Sequence, residues 1–232
     1  MRYLEKKNLV KQTPDDLRKF EGMVSDTFEA GKIRAPIHLA GGNEHQLISI
    51  FEYVSPDDWV FSTWRSHYHA LLHGLDSNWL MREIIEGRSI TIHNPKHKFF
   101  TSAIVGGTLP IAVGTAMGIK RANKNHMVWV FIGDMTAESG VFYEALKFSL
   151  KNSLPIVFVV EDNGMSTNTP TQDAWGDPKS DTSKTLQLLT NVDNSTGPEE
   201  IAKDVYLFGK NVLYYKYERQ YPHTGIGKWI YF

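Results

Sequence analysis

Cysteine is absent from all 232 residues, which removes disulfides, thiolate catalysis and cysteine-ligated zinc or iron–sulfur centres. A surplus of charge is missing too: 25 Lys plus Arg stand against 26 Asp plus Glu, for a formal net charge of −1. A dedicated nucleic-acid binder carries a basic excess or stripe, so no nucleic-acid partner is expected. No apolar run reaches the ~20 residues of a membrane span. The longest, Met127 to Ile132 and Leu154 to Val160, have the length of buried strands. The opening residues, MRYLEKKNLVKQ, lack the apolar stretch of a signal peptide, so a cytoplasmic protein with no membrane partner is expected. What is present is an ordinary globular balance, 41% hydrophobic and 22% charged, with ample material for a packed core.

Along the chain, residues 14 to 31 have helical spacing of Leu17, Phe20, Val24 and Phe28, with Asp15 and Asp16 in the first turn and Gly31 as a stop. A second helix is expected over 43 to 53 and a short strand over 57 to 63. From Ile104 a glycine turn leads into a helix with Pro110 in its first turn, where a missing N–H costs little. A buried strand, 127 to 132, then a helix over roughly 138 to 151 and a second buried strand, 155 to 160, form a parallel βαβ unit. The fold class expected is α/β, a mainly parallel sheet with helices on both faces. Residues 171 to 200 are polar and turn-rich and read as a long surface excursion, after which a helix over 198 to 208 and a strand over 212 to 219 resume the rhythm. The whole chain, 1 to 232, reads as one domain with a divergent part from about 171.

In such sheets functional residues gather at the carboxyl ends of the strands. Here those ends carry Gly133-Asp134 and Asp162-Asn163. A carboxylate and an amide carbonyl are hard oxygen ligands suited to Mg²⁺, which is commonly held by few protein groups together with phosphates. The plainer alternative is that Asp134 caps a helix and Asn163 occupies a turn. Three histidines lie close together, His67, His69 and His73. The i, i+4 pair His69 and His73 has the spacing of a zinc pair, but no HExxH motif or third ligand accompanies it. His93 and His97 read as solvated loop residues.

Gly133-Asp134-Met135, a spacer of 26 residues, and Asp162-Asn163 closely resemble the thiamine diphosphate motif Gly-Asp-Gly…Asn-Asn. HLAGGNEHQ (38–46), WVFSTWRSHYHALLHG (59–74), SAIVGGTLPIAVGTAMGIK (102–120) and residues 133–167 are similar, in order and spacing, to the alpha subunit of the thiamine diphosphate-dependent 2-oxo acid dehydrogenases. The resemblance covers roughly residues 38 to 170 and implies the thiamine diphosphate-binding fold, with thiamine diphosphate and Mg²⁺ as cofactors.

By that resemblance Asp134 and Asn163 ligate Mg²⁺ through side-chain oxygens and Met165 through its carbonyl. Gly133, Met135 and Thr136 meet the diphosphate. Arg65 grips a phosphate, with Trp64 in place of the family's Tyr beside it. Ala103, Ile104 and Val105 contact the aminopyrimidine and hold the cofactor bent. His67 lies near the reacting end as a proton carrier, with a merely structural histidine as the alternative, and His223, in the loop after the last strand, faces the substrate. The helix carrying Gly114 and Gly118 lies at a subunit contact in the family, although small residues four apart serve equally for packing within a domain. The activating glutamate comes from a separate beta subunit, so the resemblance implies a shared site in an α₂β₂ assembly acting on a small 2-oxo acid or sugar.

Two departures stand out. Met135 replaces a glycine and is strained if that position needs a positive φ. Asp162 replaces an asparagine and adds negative charge beside a phosphate site. The rival readings are a carboligase or transketolase-like enzyme with the same motifs, and a non-catalytic paralogue supported by those departures. A Mg²⁺-dependent phosphotransfer domain lacks the Gly-x-x-x-x-Gly-Lys loop it would need.

Overall fold

A computed structural model describes residues 5–175, 181–192, 195 and 197–227. Helix α1 (Pro14–Glu29) opens on a capping box in which Thr13 Oγ1 accepts from the Asp16 N–H at 3.2 Å and the Asp16 carboxylate accepts from the Thr13 N–H at 2.9 Å. There follow α2 (Glu44–Phe51), β1 (Trp59–Ser62), α3 (His67–Leu72), α4 (Ser77–Ile85), β2 (His93–Asn94), β3 (Phe99–Thr101) and α5 (Thr108–Arg121). The centre of the chain forms β4 (Val128–Gly133), α6 (Asp134–Ala137), α7 (Gly140–Lys151) and β5 (Ile156–Asp162). A small hairpin, β6 (Met165–Ser166) and β7 (Thr169–Pro170), precedes α8 (Thr171–Trp175), α9 (Thr182–Thr190), β8 (Glu199–Ala202), β9 (Val205–Phe208) and β10 (Val212–Lys216).

One eight-stranded sheet runs in the order β2-β3-β1-β4-β5-β10-β9-β8. Its five middle strands, β3, β1, β4, β5 and β10, pair in parallel, while β2 at one edge and the β8–β9 hairpin at the other are antiparallel. Alternation along the strands feeds two cores. Trp129, Phe131, Val157, Val159, Leu213 and Tyr215 pack with residues of α1 to α4 on one face. Val130, Ile132, Phe158, Val160 and Tyr214 pack with α5, α7 and α9 on the other. The structure is therefore α/β with helices on both faces, as expected.

Topology sets where a ligand belongs. From β1 the chain passes through α3 and α4 to β3 on one side, then returns through α5 to β4 on the other side of β1. The strand order thus reverses between β1 and β4, and in open α/β sheets the crevice outside the strand ends at such a reversal is the usual binding place.

Three sequence expectations need correction in the last third. Residues expected as a helix over 198 to 208 form the β8–β9 hairpin, turning at Asp204 with φ +60°. Val205 and Leu207 face one core while Phe208 faces the other, a period of two that a helix cannot satisfy. The excursion expected over 171 to 200 holds α8 and α9 among its described residues, and Leu186 of α9 is fully buried under the sheet. The strand expected over 212 to 219 ends at Lys216, releasing Tyr217 onward as a loop.

Candidate functional site

Four parallel strands end around one cavity of about 120 Å³. The end of β1 supplies Thr63, Trp64 and Arg65, and the end of β4 supplies Gly133 with Asp134, Met135 and Thr136 of α6. Beyond β5 come Asn163, Met165, Ser166 and Thr167, and beyond β10 come Tyr217, Arg219 and His223. Val105 closes the remaining side. The cavity therefore sits at the crevice where the strand order reverses.

Asp134 is 2% exposed at the first position of α6. Its Oδ2 accepts from Thr171 Oγ1 at 2.6 Å, tying the start of α8 to the end of β4. Burial, reinforced by the nearby Asp162 charge, pushes the Asp134 carboxyl up to about 7, against the lowering effect of Thr171. A buried carboxylate disfavoured in this way gains from a cation. Asn163 Oδ1 accepts from the Met165 N–H at 3.1 Å, an Asx turn stabilised by Gly164 at φ +67°, and its amide donates to Tyr217 Oη at 3.3 Å. The turn anticipated for Asn163 is thus present, and it brings Met165 to the same cavity as Asp134. Together the three offer oxygen donors of the kind Mg²⁺ prefers.

Arg65 is 9% exposed and donates to the main-chain carbonyls of Leu39 and His223. Among the described residues it has no carboxylate at ion-pair distance, although Glu21 and Glu161 act on it from further away. Burial lowers its pKa from the ordinary value, so the charge is held at a cost that an anion in the cavity offsets. Arg219 stands nearby and donates to the Thr167 carbonyl at 2.9 Å. The fit to a phosphate-bearing, Mg²⁺-linked cofactor rests on this pairing of a buried guanidinium with a hard oxygen set across one cavity.

The departures at 135 and 162 resolve in local geometry. Met135 lies inside α6 and is not among the residues with positive φ, and Gly133 before it has φ −78°, so neither position needs a glycine conformation. Asp162 lines a neighbouring cavity of about 520 Å³ instead. Its Oδ2 accepts from Tyr214 Oη at 2.6 Å and its Oδ1 from the Gly164 N–H at 2.9 Å. Its charge is still felt at Asp134, as noted.

Three residues named from the sequence stand apart. His67 is buried under α1, with Nε2 2.9 Å from Ser89 Oγ and Nδ1 3.4 Å from Glu21, and does not line the cavity. Ala103 and Ile104 are exposed, Ile104 to 73%, with only their neighbour Val105 reaching the cavity. His69 packs edge-on against Phe131 at 4.5 Å and approaches Glu161 at 3.2 Å, while His73 lies against Phe51 and Phe99. No group of three potential His, Cys, Asp or Glu metal ligands occurs among the described residues.

Sequence reasoning passed over Glu161, Tyr217, Arg219, Thr171 and the functional use of His38. Glu161 lines the cavity while Tyr215 and Asn43 donate to its Oε1. Tyr217 and Arg219 follow the end of β10, so the strand-end rule would have found them had that end been placed correctly. His38 donates through Nδ1 to the His223 carbonyl, its ring 4.8 Å from that of His223. Burial pushes both imidazoles down to about 4, so both are neutral at physiological pH.

A family model described as "Dehydrogenase E1 component" matches residues 13–182. The chain belongs to the dehydrogenase E1 component family. It is 30% identical over 165 residues to the acetoin:2,6-dichlorophenolindophenol oxidoreductase alpha subunit of Bacillus subtilis, covering 67% of this chain and 50% of that protein. Two pyruvate dehydrogenase E1 component alpha subunits are similar to this E1-family chain. That of Porphyra purpurea is 31% identical, covering 63% of this chain and 47% of the relative. That of Zymomonas mobilis is 30% identical, covering 68% and 48%. The chain spans about half the length of these curated relatives.

Proposed function

We propose that this chain is the alpha-type subunit of a thiamine diphosphate-dependent enzyme that decarboxylates a 2-oxo acid and transfers the resulting acyl or aldehyde unit. The observation that carries the reading is Arg65, a buried guanidinium unmatched by a close carboxylate, facing the oxygen set of Asp134, Asn163 and Met165 across one cavity. In this reading Asp134 and Asn163 hold Mg²⁺ with the Met165 carbonyl, and Arg65 binds a diphosphate oxygen. Met135 and Thr136 present main-chain N–H groups to the diphosphate, and Val105 packs against the aminopyrimidine. When bound, the cofactor supplies the electron sink that lets the carboxylate of a 2-oxo acid leave as CO₂.

The chain's own residues bind, orient and handle protons. Thr171 fixes the Asp134 carboxylate, and Tyr217 fixes the Asn163 amide. His223 lines the cavity as a neutral imidazole, able to take up a proton there, whereas His67 is placed to hold α1 and α3 in register. The carbonyl of His223 is clamped by Arg65 and His38, so phosphate binding and the position of the His223 ring are mechanically linked.

The remaining half of the site, including the activating carboxylate, is assigned to a beta-type partner, giving an α₂β₂ enzyme in the cytoplasm. The exposed Val105 on the cavity's lining and its exposed neighbour Ile104 support a partner surface there. No helix among the described residues is long and apolar enough to cross a membrane.

Calorimetric titration of thiamine diphosphate with Mg²⁺ into the chain assembled with a glutamate-bearing partner tests the reading. Saturable, Mg²⁺-dependent binding is expected, weakened on the order of 100-fold in Asp134→Ala by loss of a charged ligand. Uptake that ignores both Mg²⁺ and Asp134→Ala rejects the proposal.

A further inference from the structure

The amino ends of β4, β5 and β10, at the opposite edge of the sheet from the cofactor cavity, border a second concavity of about 680 Å³. Met127, Leu150, Leu154, Pro155 and Ile156 give it apolar walls, and the exposed Lys210 borders it. A shallower hollow of about 330 Å³ shares Leu150 and continues between α7 and α9, where Tyr143, Lys147 and Lys151 join the lining. Tyr143 and Lys151 are eight residues apart on α7, a span of about 12 Å at the helical rise. The two hollows adjoin at Leu150 and together make up a groove beside α7. Neither shares a lining residue with the cofactor cavity.

Among the described residues the charge along this groove is of one sign. Lys147, Lys151 and Lys210 line it, and among the described residues no aspartate or glutamate does. Among the described residues the lysines that form ion pairs are Lys6, Lys98 and Lys216, none of them here. Lys147 instead lies over the Tyr143 ring at 5.3 Å. Two buried polar side chains also line the deeper part. Ser149 Oγ and Asn211 Oδ1 have no hydrogen-bond partner, a condition that costs stability unless something pairs with them.

We propose that this groove binds a small amphipathic anion, an unbranched apolar chain ending in a carboxylate. The volume of the deeper hollow falls in the range of small-molecule sites, whose walls are apolar with a few convergent polar groups. The apolar walls take up the chain, and the lysines, with no acidic residue among the described lining, select a negative head group. The inference is independent of the cofactor site and stands or falls without it.

Titration calorimetry of the purified chain with octanoate, and with octanol as the uncharged match, tests it. Saturable one-to-one binding of octanoate is expected with a Kd on the order of 1 mM or tighter. Octanol binds at least about fivefold more weakly, and Lys210→Glu weakens octanoate by about fivefold, the scale of one exposed charge. Leu150→Glu, which places a negative charge across the junction of the two hollows, removes saturable binding while the circular dichroism spectrum and Tm stay at the wild-type values. If Leu150→Glu fails to fold, the exposed Lys210→Glu decides the matter alone. The proposal is overturned by an absence of saturable heat, by octanol binding as tightly as octanoate, or by octanoate binding Lys210→Glu as tightly as the wild type.

Discussion

Arg65 does two jobs that pull on the same guanidinium. It holds the carbonyls of Leu39 and His223, and it carries the charge proposed to meet a phosphate. A planar fork can serve several acceptors at fixed angles, whereas an ammonium is a compact point charge. Arg65→Lys is therefore expected to raise the Kd for thiamine diphosphate about 10- to 100-fold, the scale of one or two charge-assisted hydrogen bonds. Titration calorimetry reads the change, and an unaltered Kd excludes the fork as a phosphate clamp. Asp134 and Asn163 were legible as a pair because strand ends concentrate function. Glu161 and Arg219 were not, because a carboxylate or guanidinium near a strand end acquires meaning only from what faces it. His67 shows the converse: its sequence neighbourhood is right, but α3 turns its ring inward to Ser89 and Glu21.

Among the elements, the loop 218–225 depends on its contact with residues 37–42. Gly225 N–H donates to the Ile37 carbonyl at 2.8 Å, and Thr224 Oγ1 donates to the same carbonyl at 3.1 Å. Gly42, at φ +98°, lies so close that a Cβ there would stand 2.1 Å from the Glu218 carbonyl oxygen. Gly42→Ala is expected to cost about 2–4 kcal/mol through combined backbone strain and displacement of this loop. Urea unfolding measures that cost, and a loss below about 0.5 kcal/mol rules out the close packing. Helix α9 makes a second test, since Leu186 is fully buried and Leu188 is 76% exposed. Leu186→Ala is expected to lose about 2–4 kcal/mol and Leu188→Ala less than about 0.5 kcal/mol. Equal losses in the same unfolding measurement place α9 outside the core. The polar composition around α9 concealed it from sequence reading, because a short helix needs only one or two buried anchors.

For the whole molecule, buried titratable groups set the response to acid. Burial pushes His38 and His73 from 6.5 down to about 4. Between those values the unfolded chain binds the protons, so their stabilising contribution is complete above about pH 6.5 and is lost as pH falls toward 4. Asp134 opposes them: its carboxyl, raised to about 7, makes the folded chain the better proton binder from pH 3.8 up to that value. Two histidines, with the more solvent-exposed His223 adding a screened contribution of the same sign, outweigh one aspartate, and a net loss of about 2–4 kcal/mol is expected between pH 7 and 4.5. Urea unfolding across that interval measures it. His73→Gln should flatten the dependence and Asp134→Asn should steepen it, whereas a wild-type slope in both variants assigns the acid response elsewhere.

The sequence by itself determined the parallel βαβ core and the two strand ends that carry Asp134 and Asn163, because buried parallel strands are continuous apolar runs whose ends are visible as punctuation. It also determined the family, through motifs kept in order over more than half the chain. Tertiary structure decided the rest. It made the segment over 199–208 a hairpin, because a sheet edge was available to pair with and two cores to face. It gave Met135 an ordinary helical backbone and turned the Asp162 carboxylate to Tyr214, because backbone angles and the direction of a carboxylate are set by packing around them. It also brought Arg65, Glu161, Tyr217, Arg219 and His223 to one cavity from strands distant in sequence. Periodicity along a chain reports which face a residue takes within its element, but only the assembled sheet determines which other residues it meets there.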